Sequence, residues 1–399
     1  MKKDNYGTAG QRTSHPQQKH LPVVLMSRTL HIMNVSDFIK TALHDEHAIG
    51  WQHDLYSFVK TWFNDDDFIE VKTSGSTGLP KLIRHKKENM RKSAGMTCDF
   101  LGLKPGMSAL ICLSTHNIAG MMMVVRSIER ELDILTAAPD SHPLREIPTS
   151  KMIDFCAMVP AQVFNSMHDD HDREVLKKIK HLIIGGAPVS YQLKQEIKQL
   201  PGNVYSTFGM TETMSHIAMC KMNGPDASDE YSLLEGIRIE TGQNGNLIIY
   251  APFVENNPVI TNDLVEITSP RTFRWLGRQD HVINSGGFKI FPELVESKIA
   301  PVMSKYFNEP ENSDESMRST QRYFISSVPD LKLGEKPVLV IEMSTPENKD
   351  ILVNEILACL TPILQRHELP RDIFFISKLI QTPTGKIIRS ASLKIKDRD

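Results

Sequence analysis

The chain has 399 residues, and its 46 Lys and Arg against 48 Asp and Glu give a formal net charge of −2. This balance excludes a nucleic-acid binder that acts through an overall positive field. The length predicts two domains or three. No apolar run approaches the roughly 18–20 residues that span a bilayer. The polar N-terminus lacks a secretory signal, and five scattered cysteines without a CxxC pair are typical of reduced thiols, so we expect a cytoplasmic protein.

The first half of the chain alternates between helical and strand-like patterns. Residues 1–28 are polar and without period, which predicts a disordered tail. Apolar residues at helical spacing between Phe38 and Phe63 predict two short helices. Further on, strands are predicted at 107–113, 131–137, 152–159 and 181–186, and helices at 118–131 and 190–200, the last with Ser190 as its N-cap. Such apolar strands separated by helices predict a parallel sheet covered on both faces.

The pattern changes after about residue 235. Short, turn-punctuated strands at 236–240, 245–250 and 262–267 predict a small β subregion. The remainder predicts helices at 292–303 and 350–367 and strands at 323–328, 337–343 and 372–377. We therefore expect an α/β protein with two domains. The N-terminal domain, 29–277, has mostly parallel sheets covered by helices plus the β subregion, and the C-terminal domain, 278–399, is small, mobile and α+β.

A loop rich in hydroxyls and glycines follows the strand-like residues FIEVK. It reads TSGSTGLPK from Thr73 to Lys81, a composition suited to wrapping phosphate oxygens with backbone N–H groups and hydroxyls. It is not a Walker A loop, because Pro80 and Leu82 each break that motif. An ordinary Ser/Gly surface turn stays open as an alternative.

Three later segments carry further chemical groups. Thr211 and Glu212 could place a hydroxyl on a phosphate and a carboxylate on Mg²⁺. Asp263 could accept hydrogen bonds from both hydroxyls of a ribose. Lys386, after Pro-x-Gly near the C-terminus, could reach a reacting phosphate from a projecting loop. Each signal alone is weak, since Glu212 could be a solvated carboxylate and Lys386 a surface lysine.

The paired glycines Gly286 and Gly287 mark a turn where another chain or a ligand approaches closely, and a plain β-hairpin turn fits them equally.

Together and in this order, these segments resemble the adenylate-forming superfamily of acyl-CoA synthetases, peptide-synthetase adenylation domains and luciferases. The resemblance extends from about residue 70 to 390. It implies an enzyme, an AMP-forming acid–thiol ligase that makes an acyl-adenylate from a carboxylic acid and ATP and then a CoA thioester. Its cofactors would be ATP, Mg²⁺ and CoA.

The resemblance also implies roles for individual residues. Thr211 would contact the α-phosphate, Glu212 would hold Mg²⁺, and Lys386 would neutralise charge during adenylation. Asp280 would be the hinge of a C-terminal rotation that replaces Lys386 by a CoA channel lined by Gly286 and Gly287. The other nucleotide-binding residues would be Thr73, Ser74, Gly75, Ser76, Thr77, Gly78, Lys81, Gly186, Phe208, Gly209, Asp263 and Arg278.

Two positions depart from the family pattern. Phe208 stands where the family usually has Tyr, which keeps an aromatic platform for adenine, and Asn262 stands where it usually has Gly. Neither change removes a catalytic group, although an inactive nucleotide-binding paralogue stays an alternative.

The identity of the acid depends on weaker signals. The short region before the phosphate loop, together with residues 114–126 and 209–216, resembles the o-succinylbenzoate–CoA ligases of menaquinone biosynthesis. Arg126 closes an apolar run, and a substrate with a second carboxylate would give it a bidentate partner. A snorkelling or structurally paired Arg126 is equally compatible with the sequence.

Further candidates for the acid pocket are His116, Ser215 and His216, although His116 could be an ordinary interior histidine. Loading of another acid onto a carrier protein remains an alternative to CoA as the acceptor.

Overall fold

The computed structural model describes residues 32–72, 82–255, 258–307, 322–382 and 387–394. The expected tail at 1–28, the loop 73–81 and Lys386 lie outside these residues. The described helices are α1 Val35–His44, α2 Trp51–Trp62, α3 Lys87–Leu101, α4 Ile118–Glu129, α5 Pro160–His168, α6 Asp170–Leu176, α7 Tyr191–Ile197, α8 Pro292–Met303, α9 Lys349–Leu360 and α10 Arg389–Leu393. Ser190 caps α7 as expected, because its side chain accepts from the backbone N–H of Leu193.

A short hairpin precedes the main sheet. Strands β1, Phe68–Lys72, and β2, Leu82–Lys86, pair antiparallel, and Lys72 lies opposite Leu82 at the end of the pairing. The segment 73–81 therefore joins the two strands at that end of the hairpin.

In the described part of the chain the main sheet has 11 strands, whose ranges follow; their order is β10-β11-β12-β13-β9-β8-β7-β6-β5-β3-β4. Its parallel half comprises β3 Ser108–Ile111, β4 Asp133–Thr136, β5 Ile153–Met158, β6 Ile179–Ile184 and β7 Asn203–Gly209. Its antiparallel half continues from β7 with β8 His216–Lys221, β9 Glu230–Leu233, β10 Arg238–Thr241, β11 Asn246–Tyr250, β12 Val259–Ser269 and β13 Thr272–Arg278. The α/β class is confirmed, and the predicted β subregion is a continuation of this sheet.

Both faces of the parallel half are buried. Along β5, Phe155 packs into the core beneath α3 and α4, and the next residue, Cys156, packs into the opposite core beneath α5 and α7. This alternation follows from the pleat, which sends successive side chains to opposite faces. It explains why the strand is apolar at nearly every position, as expected for a sheet covered on both sides.

A second sheet follows residue 282. It contains β14 Ile283–Ser285, β15 Phe288–Ile290, β16 Tyr323–Asp330, β17 Gly334–Glu342 and β18 Asp372–Ile376, and it shares a separate apolar core with α8 and α9. The predicted helix 350–367 ends earlier, at Leu360, because Pro362 has no backbone N–H to continue the helical hydrogen bonds. The domain division at 277/278 falls next to this change of sheet and remains a prediction.

The five cysteines are free thiols, as expected, including Cys112 and Cys156, whose sulfur atoms lie 3.8 Å apart. Within the described ranges, no helix combines the length and apolarity needed to cross a membrane.

Candidate active site

The turn between β7 and β8 holds the Thr-Glu pair at its tip. Thr211 and Glu212 begin a short 3-10 turn. The hydroxyl of Thr213 accepts from the N–H of Met210 at 3.1 Å and lies 2.7 Å from the carbonyl of Ser215, so it ties both ends of the turn together. Glu212 is exposed, so its carboxylate is open to a metal ion such as Mg²⁺, whereas Thr213 is buried.

His85 lies beneath this turn and was not singled out from the sequence. It is 4% exposed on β2, the strand that follows the Ser/Thr/Gly loop. Burial lowers its pKa despite the opposing effects of the Thr211 carbonyl and the Glu212 and Glu255 carboxylates. Among the described residues, nothing hydrogen-bonds to its Nε2 atom. In the sequence, the one feature that could have identified His85 is its position shortly after the Ser/Thr/Gly loop.

The expected ribose-binding residues come together on the paired strands β12 and β13. Asp263 lies opposite Arg278 in the strand register, and its carboxylate is 3.8 Å from the Arg278 guanidinium. The indole N–H of Trp275 donates to Asp263 at 3.0 Å. Arg278 also donates to Asp280 at 3.1 Å. Burial alone would raise the pKa of Asp280, but the Arg278 charge and hydrogen bond bring it below its ordinary value.

The expected adenine-binding residues lie at the carboxyl ends of neighbouring parallel strands. Gly186 follows β6 with φ of +88°, a conformation that favours glycine. Phe208, near the end of β7, is half-buried and packs edge-on against Tyr231 and Phe273, with ring centroids 5.6 and 5.2 Å away. Ligands of open α/β sheets bind at this edge, which agrees with the expected role of both residues.

Arg126 is buried within the protein on α4, with only 2% of its surface exposed. Its Nη2 donates to the hydroxyl of Ser215, and its Nε lacks a hydrogen-bond partner in the described part of the chain. Of the carboxylates that the structure describes, none forms an ion pair with Arg126. Burial lowers the pKa of Arg126 to about 10, so the group is still charged at neutral pH.

His216 and His116 differ in their relation to this arginine. His216 is buried, and its Nδ1 lies 3.3 Å from the Ser215 hydroxyl. His116 is exposed and contacts Asp54 of α2 at 3.1 Å. His116 lies in the turn before α4, and its contact is with α2 rather than with Ser215 or Arg126. The structure thus brings Arg126, Ser215 and His216 together and leaves His116 elsewhere.

The described residues on either side of Lys386 form a β-bridge and two ion pairs. Gln381 pairs with Ile387 across the segment 383–386, and Arg389 forms ion pairs with Glu293 and Glu296 at 3.1 and 2.6 Å. The side chain of Lys386 itself lies outside the described residues.

The glycine pair expected to line the CoA channel forms a hairpin turn between β14 and β15. Gly286 and Gly287 have φ of +56° and +86°, which together with the two-residue length is typical of a type I′ turn. The hairpin reading of this motif is therefore correct, and the channel remains a prediction.

The sequence profile of the family described as AMP-binding enzyme matches residues 31–234, about half of the chain. The chain belongs to this family. The membership confirms the expected resemblance to adenylate-forming enzymes and the expected enzyme class, an AMP-forming acid–thiol ligase. ATP, Mg²⁺ and CoA, the predicted cofactors, are those of the class.

Several named proteins are similar over most of the chain. The 2-succinylbenzoate–CoA ligase of Oceanobacillus iheyensis is 22% identical over 82% of this chain and 69% of that protein. The enzyme of the same name from Listeria monocytogenes is 24% identical over 85% of this chain and 72% of that protein.

Solved structures share the fold. An acyl-CoA synthetase (AMP-forming)/AMP-acid ligase II-like protein from Dyadobacter fermentans is 34% identical, with a TM-score of 0.60, over 92% of this chain and 100% of that chain. O-succinylbenzoate coenzyme A synthetase from Bacillus subtilis, solved with ATP and magnesium, is 18% identical, with a TM-score of 0.63, over 81% of this chain and 69% of that chain. At that identity the second match supports the fold alone.

Proposed function

We propose that the protein is an ATP-dependent 2-succinylbenzoate–CoA ligase of menaquinone biosynthesis. The observation that carries the choice of acid is Arg126, a buried cation that contacts the Ser215 hydroxyl and pairs with none of the described carboxylates. A buried charge is costly without a counter-charge, and the second carboxylate of this acid would supply one with bidentate geometry. The names of the similar ligases support the same acid.

In the first step, a carboxylate oxygen of the acid would attack the α-phosphorus of ATP, and the bond to pyrophosphate would break. Thr211 would donate its hydroxyl to the α-phosphate, while Asp263 and Arg278 would orient the ribose. The exposed carboxylate of Glu212 fits Mg²⁺, which would neutralise phosphate charge. The loop Thr73–Lys81 and Lys386 would complete the charge neutralisation, and both assignments remain proposals.

In the second step, the CoA sulfur would attack the acyl carbon, AMP would leave with its phosphate oxygen, and the thiol proton would pass to solvent. The Gly286–Gly287 turn is the proposed channel wall, because two residues without side chains leave room for a narrow ligand. A rotation about Asp280 would exchange Lys386 for this turn between the two steps.

The activity is tested by pyrophosphate release with ATP, Mg²⁺ and 2-succinylbenzoate, and by mass spectrometry of the CoA product. We expect acid-dependent release and a CoA thioester. Transfer to a phosphopantetheinyl carrier protein but not to CoA would favour a carrier-loading enzyme. If 2-succinylbenzoate supports no release while other acids do, the proposed acid is wrong.

The role of Arg126 is tested with Arg126→Gln. We expect kcat/KM for 2-succinylbenzoate to fall at least about 30-fold, equivalent to about 2 kcal/mol, because a buried charge pair would be lost. Turnover of 3-benzoylpropionate, which lacks the ring carboxylate, should change little. The control is Arg130→Gln, since Arg130 follows the same helix but pairs with Asp99 near the surface. Equal losses with both acids would contradict the role.

We also propose the cytoplasm as the location of the protein. Its five free cysteines suit a compartment that keeps thiols reduced.

A further inference from the structure

A row of hydrogen bonds leads from Arg126 into helix α3. Arg126 contacts the Ser215 hydroxyl, which lies 3.3 Å from Nδ1 of His216. Nε2 of the same imidazole lies 3.0 Å from the Thr97 hydroxyl, and Thr97 donates to the carbonyl of Ser93 at 3.3 Å. The row joins α4, the β7–β8 turn and α3, segments that are distant in the sequence.

The direction of the bonds follows from the two ends of the row. A guanidinium can only donate, so the Ser215 oxygen accepts from Arg126 and its own proton is available for Nδ1 of His216. At the other end, the Thr97 hydroxyl gives its one proton to the Ser93 carbonyl and therefore accepts from His216, so the neutral ring carries its proton on Nε2. Burial and the Arg126 charge both lower the pKa of His216, which keeps the ring neutral as this order requires.

The far end of the row is closed to solvent. Thr97 and Ser93 are each 0% exposed and His216 is 6% exposed. All the dipoles of the row point away from the cation, with their negative ends towards it. Such an ordered row replaces part of the water that a buried guanidinium has lost, and hydrogen bonds in series strengthen one another.

We propose that Thr97 and His216 are positioning residues, which hold Ser215 and thereby fix the Arg126 guanidinium for the second carboxylate of the acid. This inference rests on the proposed function. It changes the expected role of His216, which acts through Ser215 and need not contact the substrate. The Nε atom of Arg126, buried and without a hydrogen-bond partner among the described residues, is one donor that the fixed guanidinium offers.

The physical reason for such support is the length of the arginine side chain. One hydroxyl contact leaves a guanidinium several orientations, whereas recognition of a carboxylate by two N–H groups needs one. A fixed acceptor for the Ser215 proton holds this hydroxyl in one orientation and so directs its lone pair at Arg126. His216 is that acceptor, and Thr97 fixes the tautomer in which it can accept.

The kinetic test compares Thr97→Val, which removes the hydroxyl at similar volume, with Thr97→Ser, which retains it. We expect Thr97→Val to raise KM for 2-succinylbenzoate about tenfold, the loss of one hydrogen bond in a charged network, with a small change in kcat. Thr97→Ser should stay near the wild type. Neither variant should alter turnover of 3-benzoylpropionate. A loss of the same size with both acids, or an unchanged KM in Thr97→Val, would overturn the proposal.

A second measurement does not depend on activity. The ¹⁵N NMR shifts of His216 in the full-length protein should show a neutral ring protonated at Nε2 at neutral pH. A ring protonated at Nδ1, or at both nitrogens, would overturn the proposal whatever the substrate is. Failure of the proposed function would look different from failure of the positioning role. The wild-type protein would then lack turnover of 2-succinylbenzoate, while His216 would still carry its proton on Nε2.

Discussion

At the residue scale, Gly209 decides the course of the turn that carries Thr211 and Glu212. A Cβ atom at this position would overlap the backbone carbonyl of Ser215 and the Cα of His216. Backbone atoms cannot move aside as the end of a flexible side chain can. The close approach of the two ends of the turn therefore requires glycine, and it holds Ser215 next to Arg126.

We expect Gly209→Ala to lower the free energy of unfolding by about 1–3 kcal/mol, because the turn must open to accommodate the methyl group. Acid-dependent pyrophosphate release should fall as well. Urea unfolding and the release assay measure the two effects.

The matched control is Gly95→Ala on α3, where no atom lies within 4 Å of the added methyl group. It should raise the free energy of unfolding by about 0.5–1 kcal/mol, since alanine is the better helix former. Gly209→Ala with wild-type stability and activity would contradict the close approach.

The residues of the acid pocket were only partly predictable. Arg126, Ser215 and His216 could be selected from the sequence because they interrupt an apolar run or follow the Thr-Glu pair. Thr97 could not, because it lies 119 residues from its partner His216 and its own helix gives no sign of the contact. His116 lies in the same segment, 114–126, that resembles the o-succinylbenzoate–CoA ligases, yet it contacts Asp54 rather than the other three.

At the scale of elements, local patterns located most helices and strands but not how the strands pair. The strands between 236 and 267 were predicted as a separate β subregion, whereas β13 pairs with β9 and so joins them to the main sheet. Strand pairing depends on contacts between distant residues, and the period of a single strand does not encode its neighbour. The end of α9 at Leu360, in contrast, has a local cause in Pro362.

Helices α8 and α10 are joined by a buried ionic cluster just beyond Lys386. Arg389 is 14% exposed and pairs with Glu293 and Glu296, while its guanidinium also donates to the carbonyl of Ile325 at 2.5 Å. Glu293 in turn contacts His281, next to the proposed hinge, at 2.5 Å. The cluster therefore fixes the segment on which Lys386 depends for its position.

We expect Arg389→Met to lower the free energy of unfolding by about 3–5 kcal/mol, because the buried carboxylate of Glu296 would lose its ion pair with Arg389. Adenylation, measured by pyrophosphate exchange, should fall more than thioester formation from added acyl-adenylate, since only the first step would use Lys386.

The control is Lys298→Met, on α8, the helix that carries Glu293 and Glu296. Lys298 pairs with Glu368 at 2.6 Å but is 40% exposed on its side chain, so its loss should cost less than about 1 kcal/mol. Equal falls of both half-reactions in Arg389→Met would contradict a specific link to Lys386.

At the scale of the whole molecule, the net charge of −2 provides no overall positive field for anionic substrates. A ligase of a carboxylic acid that uses ATP and CoA must therefore place cations locally. Arg126 lies on α4 and Arg278 on β13. Arg126 has no described carboxylate partner, whereas Arg278 lies between Asp263 and Asp280. Arg126 is therefore suited to binding an anion, and Arg278 is suited to holding the carboxylates of Asp263 and Asp280 in place.

Two buried histidines make the stability of the whole fold depend on pH. The pKa values of His85 and His216 both lie below the ordinary 6.5, mainly because of burial. Below pH 6.5 the unfolded chain binds protons at these residues that the folded chain does not bind. The stability is therefore complete above pH 6.5 and is lost as the pH falls towards the folded-state values, by up to about 1.4 kcal/mol per pH unit for each histidine.

We expect urea unfolding to give a smaller free energy at pH 5.5 than at pH 7.5. His216→Gln and His85→Asn should each flatten this dependence, because neither amide side chain takes up a proton in the unfolded chain. His53→Gln, at an exposed position on α2, controls for the loss of one histidine. If the pH dependence were the same in the wild type and in both buried variants, the fold would keep neither imidazole neutral. The proposed positioning of Arg126 requires a neutral His216, and it would then be wrong.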